Sequence, residues 1–407
     1  MRIAILTNAF PPLARGGAGQ IAKLQADWLA AHGHEVRLFT VEPFPTAESD
    51  VHQITTFKSR TTRRFSDLGK TNAILRLLFH FEDLAPNLWA VDAIREWRPD
   101  VLVTHNVTGC GWGTAHMIKE SGVRWVHVLH DVQMFEPSGQ RLYGERYYGL
   151  RKRWRDFWAG KRKKAFGQPD TVVSPTRWLL EQHRAYGLLK NPPAEILPNP
   201  IVAPTSASPT PPAVISTEAS PTSGMEKSPL FNNDMHPPVA PGTVIYLGRL
   251  SVDKGVDLLL DVWSGLAQRP GRLVLVGDGP LRSRCESMSD EAVECVGSLE
   301  HDEAMAKLSQ ADALVLPSLV MENQPTVLLE AVSMNKPVIA ADVGGVRESL
   351  DGYGKLFIPG DKKSLADALN DLPYLEVDAQ TRAHLLERHD MDRVMGRLVE
   401  ILETNPD

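Results

Sequence analysis

Short runs of apolar residues alternate with segments whose apolar positions recur at helical spacing along most of the chain. Runs at 2–7, 35–41, 101–104, 123–130 and 171–174 predict strands in the first half. Runs at 243–248, 272–276, 293–296, 313–316 and 337–341 predict strands in the second. Between them, positions such as Ile21, Leu24, Trp28 and Leu29 share one helical face. Strands that are apolar throughout are buried on both faces, which requires parallel sheets covered by helices on either side. The pattern occurs twice and predicts two doubly wound α/β domains, at 1–200 and 243–385. A last helical segment, 386–407, is expected to pack back on the first domain. Residues 203–242 break the pattern, being rich in Pro, Ser and Thr without periodicity. Such a segment buries too little apolar surface to offset its ordering entropy, so it reads as a flexible linker or surface loop.

Composition narrows this picture. With 407 residues and 43% hydrophobic content the chain can bury two cores. Its net charge of -6 argues against a protein that coats nucleic-acid phosphates. Cys110, Cys285 and Cys295 are scattered, with no CxxC pair, which excludes a disulfide framework or zinc site built on that spacing. The N-terminal apolar run is too short for a signal peptide, and no run reaches the roughly 18 residues of a membrane span. A cytoplasmic protein is expected, either free or held on the inner face of a membrane.

The chemistry concentrates in the second half. Gly248-Arg249-Leu250-Ser251-Val252-Asp253-Lys254-Gly255 follows a strand directly, and the carboxyl ends of parallel strands are where such sheets bind ligands. Two fixed cations there, Arg249 and Lys254, suit a diphosphate. Val276-Gly277-Asp278-Gly279-Pro280 ends another strand, with glycines that let a ligand approach the backbone. Glu322-Asn323-Gln324-Pro325-Thr326-Val327-Leu328-Leu329-Glu330 then opens a helix, which Asn323 or Gln324 is expected to cap with Pro325 in the first turn. The amides near Thr326 would make that helix end an anion site. Glu330, set among apolar neighbours, needs a hydrogen-bonding reason to be there.

Taken together, these residues resemble the retaining glycosyltransferases of family 4. The resemblance runs on through Lys336-Pro337-Val338-Ile339-Ala340 and Gly344-Gly345-Val346-Arg347-Glu348. It implies the GT-B architecture, two Rossmann-like domains facing each other across a donor cleft. It also implies that Glu322 contacts the donor sugar, Glu330 the ribose, and Arg249 with Lys254 the diphosphate. Gly277, Asn323, Gln324 and Thr326 are expected at the donor site from their own strand-end and helix-start positions. Many members have Gly-Phe-Gly after the first glutamate. Here Asn323-Gln324-Pro325 stand instead, and Pro325 has no N–H to offer a sugar hydroxyl.

In the first half, Gly17-Ala18-Gly19-Gln20-Ile21-Ala22 fits GxGxxA, but about eight residues, Pro11 and Pro12 among them, separate it from the strand. A dinucleotide fingerprint needs a tight strand-to-helix turn. The segment, with Gly16 and Gly17, instead resembles the family's first loop, whose glycine amides approach the donor. A histidine ending a strand, such as His130, is more often structural when read alone. The resemblance implies that His130 is a cleft residue contacting the sugar, and strand alternation turns His127 the other way.

Residues 141–164 carry ten Lys or Arg against Glu145 and Asp156, a net of +8, with Tyr143, Trp154, Phe157 and Trp158 interleaved. They read either as a helix facing an anionic membrane or as a solvated helix whose aromatics join the core.

The expectation is a retaining, metal-independent transferase that moves a sugar from a nucleotide-sugar donor. By resemblance the donor is a UDP-sugar and the acceptor a glycan or lipid-linked glycan of the cell envelope or exopolysaccharide. No cofactor is expected. A nucleotide-sugar epimerase on the same fold and a non-catalytic donor-binding scaffold are the alternatives.

Overall fold

The fold was determined as a computed structural model that describes residues 1–8, 10, 17–41, 53–59, 61, 72–136, 138–145, 148–201, 242–289 and 291–404. The first half contains strands β1 (Arg2–Leu6), β2 (Glu35–Val41), β3 (Gln53–Phe57), β4 (Val101–Thr104), β5 (Arg124–Val128), β6 (Thr171–Ser174) and β7 (Ala194–Ile196). Helices α1 (Gly17–Ala31), α2 (Ala73–Glu82), α3 (Leu88–Trp97), α4 (Thr114–Lys119), α5 (Gly149–Phe166) and α6 (Arg177–Ala185) connect them. The strands form one parallel sheet in the order β3-β2-β1-β4-β5-β6-β7.

The second half contains β8 (Gly242–Leu247), β9 (Gly271–Val276), β10 (Val293–Gly297), β11 (Ala313–Leu316), β12 (Val338–Ala341) and β13 (Lys355–Phe357). Among these run α7 (Val256–Gly265), α8 (Arg282–Ser287), α9 (His301–Gln310), α10 (Thr326–Ser333) and α11 (Val346–Leu350). After β13 come α12 (Lys362–Asn370), α13 (Ala379–Arg388) and α14 (Met391–Glu403). The second sheet is also parallel, ordered β10-β9-β8-β11-β12-β13. In both sheets the order reverses beside the first strand, the switch point where such folds open a ligand crevice.

Ten of these strands coincide with the apolar runs. The pattern missed β3, β7 and β13, which are sheet edges. Their residues are mostly half-buried, so they show no continuous apolar run.

Alternation along β1 divides the first core into two layers. Ala4 and Leu6 pack with α3 and α4, while Ile3 and Ile5 pack with α1 and α14. Val394, Met395, Leu398, Ile401 and Leu402 of α14 lie in that second layer, so the end of the chain is built into the first half. Trp28 Nε1 donates to Asp392 Oδ1 at 2.9 Å beside it, and Asp390 caps α14 through Arg393 N. The 203–242 linker expected from composition lies outside the described residues, except Gly242, which opens β8. Among the described residues no helix is long and apolar enough to cross a membrane.

Candidate active site

The carboxyl ends of the two sheets meet at a cleft of about 650 Å³, lined by Gly17, His130, Arg249, Lys254, Gly277, Glu322, Asn323, Gln324 and Thr326 among others. Gly16 lies outside the described residues. Gly17 begins α1, and a Cβ built there would stand 3.5 Å from Thr326 Cγ2, so the two helix starts face each other across the cleft.

Backbone geometry explains why the cation loop has this sequence. The buried Tyr246 hydroxyl donates to Arg249 O at 2.7 Å and pins the turn after β8. Gly255 has φ +72, and a Cβ there would fall 1.9 Å from Pro317 O. Only glycine lets Lys254 enter α7 this close to the end of β11. Gly277 is held the same way, with φ +143 and its virtual Cβ 1.9 Å from Gly248 O.

Lys254 Nζ lies 2.6 Å from Glu322 Oε1, and Ser318 Oγ donates to the same oxygen at 2.8 Å. The Glu322 side chain is only 14% exposed, so its charge is matched by a partly buried cation and a hydroxyl. Arg249 is exposed and has no ion pair among the described residues. A ligand anion at the cleft would therefore meet an unengaged guanidinium, the Lys254 ammonium and the N-terminus of α10.

The expected cap of α10 is not found. Pro325 is the N-cap, without a side-chain cap bond. Asn323 and Gln324 are drawn away by the other half of the molecule. Thr176 Oγ1 donates to Asn323 Oδ1 at 2.6 Å, and Asn323 Nδ2 donates to His130 O at 3.2 Å. The Asn199 amide donates to Gln324 Oε1 at 2.6 Å. Gln324 Nε2 stays buried, with no partner among the described residues. Glu330 sits one turn into α10, half-buried. Burial raises its pKa, against a smaller opposing influence from His301.

A model of the glycosyl transferases group 1 matches residues 241–373, and a model of glycosyltransferase family 4 matches residues 15–203, one on each sheet. The chain is a family 4-like glycosyltransferase of the GT-B type. TuaC of Bacillus subtilis strain 168, named for teichuronic acid biosynthesis, is 23% identical over 91% of this chain and 88% of its own. The gpi3 subunit of the phosphatidylinositol N-acetylglucosaminyltransferase of Schizosaccharomyces pombe is 36% identical, over 40% of this chain and 36% of its own. The structure of Anabaena Alr3699/HepE with UDP and glucose superposes with a TM-score of 0.66 at 18% identity, covering 99% of this chain and 100% of that one.

Around the glycosyltransferase cleft the two halves are joined through residues to which sequence reasoning gave no role. Glu348 accepts from Arg177 N at 2.8 Å and Trp178 N at 3.2 Å, so a carboxylate of the second half caps α6 of the first. Met321 N donates to Arg141 O and Tyr143 N to Leu319 O, both at 2.7 Å, making an antiparallel bridge at the rim. His105 directly follows β4, and its Nδ1 lies 2.8 Å from His130 Nε2. Its only sequence signal is its place after an apolar run, the same signal that singled out His130. His127 is buried against Phe166 and bonded to Thr104 Oγ1 at 2.8 Å, away from the cleft. In α5 the two tryptophans part company: Trp158 is 1% exposed and Trp154 51%, so only one of them joins the core.

Proposed function

We propose that this glycosyltransferase moves a sugar from a UDP-sugar to a glycan or lipid-linked acceptor of an envelope or extracellular polysaccharide, with retention at the anomeric carbon. The convergence of Lys254, Glu322 and Arg249 with the start of α10 on one cleft carries this reading. Arg249, Lys254 and the amides near Thr326 hold the diphosphate and stabilise charge on the leaving group, the largest contribution to catalysis in such a site. Glu322 and His130 orient the sugar, Gln324 Nε2 offers one more donor, and Glu330 serves the ribose. The bond from the anomeric carbon to the phosphate oxygen breaks as the acceptor oxygen bonds the same face. The acceptor proton passes to a leaving phosphate oxygen, so no enzyme nucleophile is consumed. The UDP and glucose held by Anabaena Alr3699/HepE support a UDP-sugar donor, and the names of TuaC and the gpi3 subunit support a polysaccharide or glycolipid product.

Thermal unfolding with a panel of nucleotides and nucleotide sugars tests the donor. At a hundred times its dissociation constant the right donor adds about 2.7 kcal/mol, raising the midpoint by roughly 5–10 °C. Conversion of the sugar without transfer, or a panel in which nothing shifts the midpoint, overturns the reading.

The acceptor side includes a membrane contact. Leu150, Trp154 and Phe157 are 82%, 51% and 40% exposed on α5 and line a shallow apolar hollow with Arg151 and Arg153. Exposed Ile74, Leu78 and Phe81 of α2 extend it, the Phe81 ring lying 6.3 Å from that of Phe157. An apolar face rimmed with cations suits an anionic bilayer. Replacing Leu150, Trp154 and Phe157 together by serine should weaken co-sedimentation with phosphatidylglycerol vesicles at least tenfold. Equal binding by the wild-type and triple-serine chains would remove the membrane from the proposal.

A further inference from the structure

His130 pairs one ring nitrogen with another histidine and lines the cleft. Its Nε2 lies 2.8 Å from Nδ1 of His105, with the two rings stacked at 24° and 5.1 Å between centroids. His105 is 1% exposed and held after β4 by its amide, which donates to Leu6 O at 3.1 Å. Its other nitrogen, Nε2, is buried with no partner among the described residues. His130 lines the cleft, and its Nδ1 is not among the buried unpartnered atoms. Its main chain is tied to the far side as well, through Asn323 Nδ2.

We propose that His105 is a positioning residue for the transfer: it donates Nδ1–H to His130 Nε2, and so fixes His130 as the tautomer that offers Nδ1–H to the donor sugar. The proposal rests on the reading of His130 as a cleft residue and goes beyond it by naming which nitrogen works and what sets it.

Two hydrogen arrangements satisfy a bond between neutral imidazoles. If His130 donated, His105 would carry its hydrogen on Nε2, and an N–H would be buried without an acceptor. If His105 donates, the orphan is a lone pair, and buried orphan N–H groups are the rarer of the two. Both rings are neutral near pH 7. Burial lowers the His130 pKa to about 4 and that of His105 well below its usual value. The titratable groups around the pair are His127 on β5, Asp131 after it, and Lys254 with Glu322 across the cleft. Burial raises Asp131 to about 6, where the Gln133 amide and Arg162 oppose the rise. A neutral His130 is a hydrogen-bond donor without charge. It can hold a sugar hydroxyl without competing with Arg249 and Lys254 for the diphosphate.

The test is the ring tautomer in the full chain labelled with 15N-histidine, read from two-bond 1H–15N correlations near pH 7.5. His130→Gln and His105→Asn identify the two rings among the 13 histidines. The wild-type spectrum should show His130 protonated at Nδ1. His105→Leu should release it to an Nε2–H or mixed pattern, and His105→Asn, which keeps an N–H in the same place, should restore Nδ1–H. A wild-type His130 protonated at Nε2, or a tautomer unchanged in His105→Leu, overturns the proposal. Thermal unfolding of each variant shows that the comparison is between folded chains. The spectra need no donor, so their outcome is separate from the outcome of the donor panel.

Discussion

Lys254→Ala is expected to lower transfer by about two to three orders of magnitude, as loss of one preorganised charge at a developing anion does. The fold should survive, because Lys254 lies at the cleft and its side chain is 27% exposed. Two effects combine. On the proposed reading the leaving diphosphate loses the Lys254 ammonium, and Arg249 remains beside it. Glu322, 14% exposed, loses the partner 2.6 Å away and, among the described residues, keeps the Ser318 hydroxyl alone. An unpaired carboxylate beside an incoming diphosphate repels it, so donor affinity should fall with the rate. Lys254→Arg should recover little, since a planar guanidinium cannot replace a compact ammonium between a carboxylate and a phosphate. Steady-state transfer rates and donor titration measure both. Transfer by Lys254→Ala at the wild-type rate would remove Lys254 and Glu322 from the site.

Gly344→Ala is the stability counterpart. Gly344 has φ +59, and a Cβ there would sit 1.9 Å from Glu322 O. Neither atom moves freely, because Gly345 N already donates to the same oxygen at 2.9 Å. Left-handed strain and overpacking together cost about 2–4 kcal/mol, which lowers the unfolding midpoint by roughly 5–15 °C. Relief of the clash must push Glu322 out of line with Lys254, so transfer should fall further than stability does. A midpoint within a degree or two of wild type would mean that the two loops do not meet as described. Gly33→Ala is a matched control with φ +85 and nothing within 4 Å of its Cβ. It should show the left-handed cost alone.

Both predictions depend on loops that the sequence identified by residue type and the fold placed. Apolar runs were enough for ten strands, because a strand buried on both faces has no other way to be written. Glycines and cations at the ends of those runs marked Arg249, Lys254 and Gly277. Chain order and strand ends then put them on the cleft side, since parallel sheets direct every strand's carboxyl end the same way. The strands β3, β7 and β13 escaped because their mostly half-buried residues include no continuous apolar run.

The inter-half hydrogen bonds of Asn323, Gln324 and Glu348 and the place of His105 came from tertiary structure alone, whereas the docking of α14 on the first half was expected from the chain. Locally, Asn323 or Gln324 ahead of Pro325 is a sound cap for α10. The competing partners, Thr176, His130 O and Asn199 N, lie more than a hundred residues away in the chain. Glu348 lies in the first turn of the short α11, and nothing local to it records that α6 is brought to its carboxylate. Sequence patterns report the burial and turn chemistry of a residue's own element. A hydrogen bond between halves depends on where two rigid sheets come to rest, and no local periodicity records that.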